Sequence, residues 1–186
     1  DRRSGEAHER ERCMKRVVVI AAHPDDELLG VGATLAKHVA RGDEVHAIVC
    51  SEGATARYDA SAKNELQEAG KRAAAVIGMS SIRFLGFADQ RLDTVPLLEV
   101  TQTIERALSE LRPDVLYVHH WGDMNRDHRI VAEAVMVAGN TSISAISKPV
   151  IVTSKSRSRL VRCCSSIFRI SGSQPAFSAS LLSARM

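Results

Sequence analysis

Residues 17–27 read VVVIAAHPDDE, and the fold is decided there. Val17–Ala22 is an unbroken apolar run rich in β-branched residues, the pattern of a strand buried on both faces. Such strands belong to parallel sheets covered by helices on both sides. The run gives way to a polar turn, His23–Pro24–Asp25–Asp26–Glu27. Leu28–Ala40 then has helical character, with Leu28, Leu29, Leu35 and Val39 available for one broad face. Gly42 and Asp43 end it.

The same alternation repeats downstream. Glu44–Cys50 (EVHAIVC) predicts a second strand, and Ser61–Ile77 predicts a helix closed by Gly78. Ser81–Leu85 predicts a third, short strand. Val95–Leu111 predicts a long helix, with Leu98, Ile104, Ala107, Leu108 and Leu111 on its buried side and Pro113 as its breaker. Asp114–His119 (DVLYVH) predicts a fourth strand and Asp127–Ala138 a fourth helix. Four strand-then-helix units predict an α/β fold, a Rossmann-like three-layer sandwich with a mostly parallel sheet. Ligands in such sheets sit beyond the carboxyl ends of the strands. That rule selects the loops after Ala22, Cys50 and His119.

Two of these loops carry chemistry. In the first, His23 and one Asp can grip a metal while the other Asp faces a substrate. Adjacent acids at a helix start also serve as plain caps, but HPDDE at the end of a buried strand favours the chemical reading. The second loop, His119–His120–Trp121–Gly122–Asp123–Met124–Asn125–Arg126–Asp127–His128, holds three of the seven histidines. His128, near a helix start, would complete a site of two histidines and one carboxylate, and such sites keep an open position for water. The competing reading is a polar loop with Asp127 as a helix N-cap.

Other chemistries fare worse. Gly30 and Gly32 form GxG, but no third glycine completes a dinucleotide fingerprint, and the pair lies inside the predicted helix. They are read as close helix–sheet packing. No phosphate-binding loop is present. Ser51 lacks a nucleophile elbow, and Cys50 closes an apolar strand, where a thiol is buried and inert.

The chain of 186 residues is long enough for one domain with a real core. Its net charge of +3 hides an uneven distribution: +2 over residues 1–16, −6 over 17–140 and +7 over 141–186. The basic balance therefore belongs to the ends, and the acidic body argues against a specific nucleic-acid partner. No apolar run approaches the ~20 residues of a membrane span. The charged first residues carry no signal-peptide core. The four cysteines form no metal-ribbon or disulfide pattern. A cytoplasmic location is expected. Residues 1–14 are expected to be a disordered leader, with Met14 as a possible start, and residues 15–140 the core. Residues 141–186 hold 13 serines and no acid, and are expected to be a basic tail outside it, aberrant or truncated relative to a normal end. Val150–Thr153 and Ser166–Ile170 are its only strand-like segments.

AHPDDE after the first strand, with HxxDxNxDH (residues 120–128) after the fourth, resembles the zinc-dependent de-N-acetylases of the LmbE-like, or PIG-L, family. That family includes the GlcNAc-phosphatidylinositol de-N-acetylases and the deacetylases of mycothiol and bacillithiol biosynthesis. The resemblance runs from about Lys15 to Ala138, and FADQRLD (Phe87–Asp93) is similar to a recurrent family stretch. It implies that His23, Asp26 and His128 bind Zn2+, with Fe2+ also suited to such a set. It implies Asp25 as the general base and Asp127 as a residue orienting its neighbours. Asn125 stands where some members carry a histidine that steadies the oxyanion or protonates the amine. Asn can donate a hydrogen bond but not shuttle a proton, which leaves His119, His120 or Asp25 for that step. Glu52, Asp89 and His120 are expected to contact substrate. The implied reaction is hydrolysis of the acetamide of a small N-acetylglucosamine-type sugar or conjugate, releasing acetate and a free amine. Family members usually run on through further strands, so the alternative is a catalytically dead or unstable metal-binding fragment.

Overall fold

β1 (Arg16–Ala21) is the middle strand of a five-stranded, all-parallel sheet. The computed structural model describes residues 14–56, 62–142 and 149–152. After β1 come α1 (Asp26–Val39), β2 (Glu44–Ser51), α2 (Ala62–Ile77) and β3 (Ser81–Phe87). A 3-10 turn (Leu92–Thr94), α3 (Leu97–Leu111), β4 (Val115–His119), α4 (Arg126–Ser142) and β5 (Pro149–Val152) follow. The strand order is β3-β2-β1-β4-β5. The chain moves outward from β1 in one direction through β2 and β3, then crosses back to lay β4 on the other side. β1 and β4 therefore flank the point where strand order reverses, and a crevice opens there at the carboxyl ends.

Alternation along β1 divides the interior into two cores. Val18 and Ile20 face one side, with Ile48, Cys50, Ile104, Leu108, Val131 and Val135. Val17 and Val19 face the other, with Val31, Leu35, Val45, Ala47 and Tyr117. Helices α3 and α4 cover the first face, and α1 and α2 cover the second. Truncating a fully buried residue such as Ile20 or Leu108 to Ala is worth about 2–5 kcal/mol at sites of this kind.

The observed strands and helices follow the expected ones to within a few residues, and three details are corrected. Leu29 and Leu98, expected on buried faces, are 75% and 65% exposed. On α3 the inward stripe instead runs through Val100, Thr101, Ile104, Ala107 and Leu108. A methyl added at Gly32 would meet only Leu28 of its own helix, at 3.8 Å, so that glycine is not required by helix–sheet packing.

The expected core boundary at residue 140 falls inside α4, and Pro149–Val152 pairs in parallel with Leu116–His119. Of residues 141–186, expected to lie outside the core, these four join the sheet: a β-branched run, PVIV, supplies a ladder partner for the edge that β4 would otherwise present. The 1–14 leader up to Cys13, and Ser166–Ile170, lie outside the described residues. Among the described residues, no helix is long and apolar enough to cross a membrane.

Gly53 is required by close approach. Its φ is +74°, and a Cβ there would sit 2.5 Å from the Pro24 ring. The loop after β2 is thereby pressed against the turn after β1. Ser51 N–H also donates to the Ala22 carbonyl (2.9 Å), and Glu52 N–H to that of Phe87 (2.9 Å). The carboxyl ends of β1, β2 and β3 are held as one platform.

Candidate functional site

The turn after β1 and the start of α4 bring three side chains to one point. His23 Nδ1 lies 3.2 Å from Asp26 Oδ2 and 3.2 Å from His128 Nε2, and the last two atoms are 3.1 Å apart. Ligand atoms around a tetrahedral zinc, each about 2.0–2.1 Å from the ion, lie about 3.3 Å from one another. This near-equilateral triangle of two imidazole nitrogens and one carboxylate oxygen therefore has the size and chemistry a divalent cation requires. It is one of three such groupings among the described residues, and the other two, His119–Asp123–His128 and His23–Asp89–Asp127, share its histidines.

Carboxylates behind the rings set their orientation. Asp123 Oδ2 is 3.0 Å from His128 Nδ1. Asp127 Oδ2 is 3.2 Å, and Asp89 Oδ1 3.4 Å, from His23 Nε2. Each ring then donates its outer N–H to a carboxylate and turns its remaining lone pair into the triangle, the usual arrangement behind metal-binding histidines. Asp127 also accepts the Leu92 N–H (3.3 Å), and Asp26 the His23 N–H (3.0 Å).

The electrostatics follow from this crowding. Burial alone would lower His23, but the hydrogen bonds to Asp127 and Asp26, with the charges of Asp26 and Asp89, outweigh it and push its pKa up to about 9. Burial opposes ionisation of Asp26, yet His128 and His23 hold its carboxyl far below the usual carboxylate range. Burial and the charge of His128 push His119 down to about 4. Its Nε2 accepts the Ala22 N–H at 2.8 Å, and its ring stacks on His128 with centroids 3.9 Å apart. His119 is thus a neutral wedge that sets the His128 plane, and its Nε2 is already engaged. His120 is half-buried; its Nδ1 accepts the Gly122 N–H (3.1 Å) and its ring tilts against Trp121.

Asp25 is exposed beside the triangle, at the N-cap of α1, with φ 133°. That backbone is strained for a side-chain-bearing residue, and such strain concentrates at functional turns. Its N–H is held by the buried Glu27 carboxylate at 3.1 Å. Asn125 Oδ1 accepts the Asp127 N–H (2.9 Å), so Asn125, not Asp127, caps α4.

Glu52, expected to contact substrate, is turned into the fold. It is buried, and its carboxylate accepts from the backbone N–H groups of Ala54, Thr55 and Asp89 and from the Thr55 hydroxyl. It ties the loop after β2 to the turn after β3. Asp89 is buried against His23. Cys50 is fully buried with its thiol pKa pushed up by burial, as a strand-closing cysteine should be.

Three residues here have no role in the sequence reading: Asp123, Glu27 and Gln90. Asp123 sits within the histidine-rich loop, five residues before His128, and that spacing was the available signal. Glu27 closes AHPDDE and Gln90 lies within FADQRLD, but neither motif indicated their partners.

The family described as PIG-L, GlcNAc-PI de-N-acetylase, matches residues 18–139, and the chain belongs to it. A 1D-myo-inositol 2-acetamido-2-deoxy-alpha-D-glucopyranoside deacetylase from Mycolicibacterium vanbaalenii is 33% identical over 153 residues, covering 64% of this chain and 54% of that one. An uncharacterized deacetylase of Escherichia coli K12, YaiS, is 31% identical over 132 residues, covering 68% of this chain and 69% of its own. Among solved structures, an N,N'-diacetylchitobiose deacetylase from Pyrococcus horikoshii shares the fold at a TM-score of 0.61. It is 24% identical, with 68% of this chain and 49% of that one covered. The chain spans about half the length of the first of these relatives.

Proposed function

We propose that this protein is a metal-dependent de-N-acetylase that hydrolyses the acetamide of an N-acetylglucosamine-type sugar or conjugate to acetate and a free amine. The observation that carries the reading is the triangle of His23 Nδ1, Asp26 Oδ2 and His128 Nε2, with sides of 3.1–3.2 Å, at the carboxyl-end crevice. Family membership and the deacetylase names of the relatives support the reaction class.

A divalent cation held by these residues, zinc or iron(II), would polarise the acetamide carbonyl and acidify a water molecule. The chain's own groups do the rest. Asp127 and Asp123 keep the two rings turned toward the ligand. Asp25, at the rim, takes the proton as water adds to the carbonyl. His119, neutral and bonded to the Ala22 N–H, is poorly suited to protonate the leaving amine. Asn125 has no acidic proton and its oxygen caps α4. The His120 Nδ1 is engaged by the Gly122 N–H, and we assign the proton to Asp25, which returns it to the amine nitrogen, so one carboxyl group serves as base and then as acid. Asp89, beside His23, would accept from a sugar hydroxyl.

A metal-binding fragment without turnover is the second reading, favoured by Asn125, which offers no acidic proton and whose oxygen caps α4. Metal analysis of the purified chain, together with amine release from N-acetylglucosamine conjugates, separates the two. Bound metal with amine release supports the deacetylase; bound metal without release supports the fragment.

A further inference from the structure

Gln90 lies in a turn that the fold pins on both sides. The Asp89 N–H is held by Glu52 at 3.2 Å and the Leu92 N–H by Asp127 at 3.3 Å. Between these anchors Gln90 adopts φ 54°, in the left-handed region that favours glycine and costs other residues about 1–2 kcal/mol. The side chain is exposed, yet it does not extend into solvent: its amide nitrogen lies 3.0 Å from His23 Nε2. An unfavourable backbone and a side chain aimed at a metal-binding imidazole together mark a position where the side chain matters.

The chemistry of the contact is constrained by its neighbours. His23 Nε2 also faces the carboxylates of Asp127 and Asp89, at 3.2 and 3.4 Å. A ring nitrogen facing two carboxylates carries its hydrogen, whether the ring is neutral or charged. An amide NH2 group opposite that N–H would set donor against donor. A half-turn of the amide exchanges its nitrogen and oxygen without moving the fold, and it is the Gln90 carbonyl oxygen that satisfies the ring.

We infer that Gln90 is a positioning residue for His23: its amide oxygen shares the Nε2–H with Asp127 and Asp89, fixing the tautomer that leaves Nδ1 free for a cation. Its NH2 group is left at the rim of the crevice, where it can donate to a bound hydroxyl. The inference rests on the metal-site reading above.

The test is cobalt(II) and zinc affinity of the full chain, measured by competition with a chromophoric chelator, for the parent, Gln90→Gly, Gln90→Met and Gln90→Asn. Melting temperature and the cobalt absorption spectrum are recorded alongside. Glycine relieves the backbone and removes the amide; methionine keeps bulk and strain but removes the amide. Metal affinity should fall about 3- to 10-fold in both, at or below the low end of the range for groups that orient metal ligands, with a shifted cobalt spectrum. Asparagine, which tolerates this backbone and keeps an amide, should recover part of the loss. The glycine variant alone should melt higher. Metal affinity and spectrum unchanged in both Gly and Met variants would overturn the inference, leaving Gln90 a turn residue. A parent that binds no metal would instead overturn the site reading on which it rests.

Discussion

Histidines bonded to carboxylates occur at both ends of the sheet, and the two ends use them differently. At the amino end, His38 sits between Asp43 Oδ2 (2.6 Å) and the Tyr117 hydroxyl (2.9 Å). His46 bonds Ser81 Oγ at 2.8 Å, and its Nε2 lies 3.1 Å from Glu44 Oε1. Each ring has its own neighbours, and no third ligand atom joins them in a common point among the described residues. These rings staple α1 and β2 to adjacent strands. At the carboxyl end, His23, Asp26 and His128 aim at one place, and separate carboxylates stand behind the rings. Convergence, not the number of histidines, is what distinguishes a ligand site from a staple.

The largest expected effect breaks the comparison directly. His128→Ala should abolish tight metal binding, whereas His38→Ala should leave metal stoichiometry intact and lower the unfolding free energy by about 1–3 kcal/mol, through lost charge-assisted hydrogen bonding. Metal analysis after dialysis and urea denaturation read the two outcomes; equal metal retention in both variants would erase the distinction between the ends. Next in size, Asp25→Asn should retain metal but lose roughly 10²–10⁴-fold in turnover, because the amide cannot accept the proton. A rate near that of the parent would remove Asp25 from the chemistry. Asp127→Ala should weaken metal affinity about 10–100-fold by freeing the His23 ring, and an unchanged affinity would leave only its bond to the Leu92 N–H. The smallest effect belongs to the amino end: Tyr117→Phe should cost about 1 kcal/mol of stability, with metal affinity unmoved in the same competition assay.

Much of this architecture was legible because its signals are local. A run such as VVVIAA has one comfortable environment, and a turn of HPDDE at its end falls where parallel sheets bind ligands. Other features depend on partners far along the chain. Leu29 and Leu98 carry helical periodicity, but which side of a broad apolar arc turns inward is decided by the neighbouring layer. Glu52 looks like a rim carboxylate until the turn after β3, 37 residues on, delivers the Asp89 N–H to it. Gln90 meets a ring 67 residues earlier. Asp127, which reads as a helix N-cap in the sequence, is drawn inward to His23, 104 residues away, and Asn125 caps α4 instead. The strand-like run at Val150–Thr153 was visible in a serine-rich, acid-free stretch, but the open edge of β4 that Pro149–Val152 joins was not.

The central claim is the identity of the three ligand atoms, and X-ray absorption at the zinc edge of the zinc-loaded chain tests it most directly. The account predicts one zinc per chain, a first shell of nitrogen and oxygen at about 2.0–2.1 Å with imidazole scattering from two histidines, and no sulfur. A shell containing sulfur, or one without the two-imidazole signature, would contradict it.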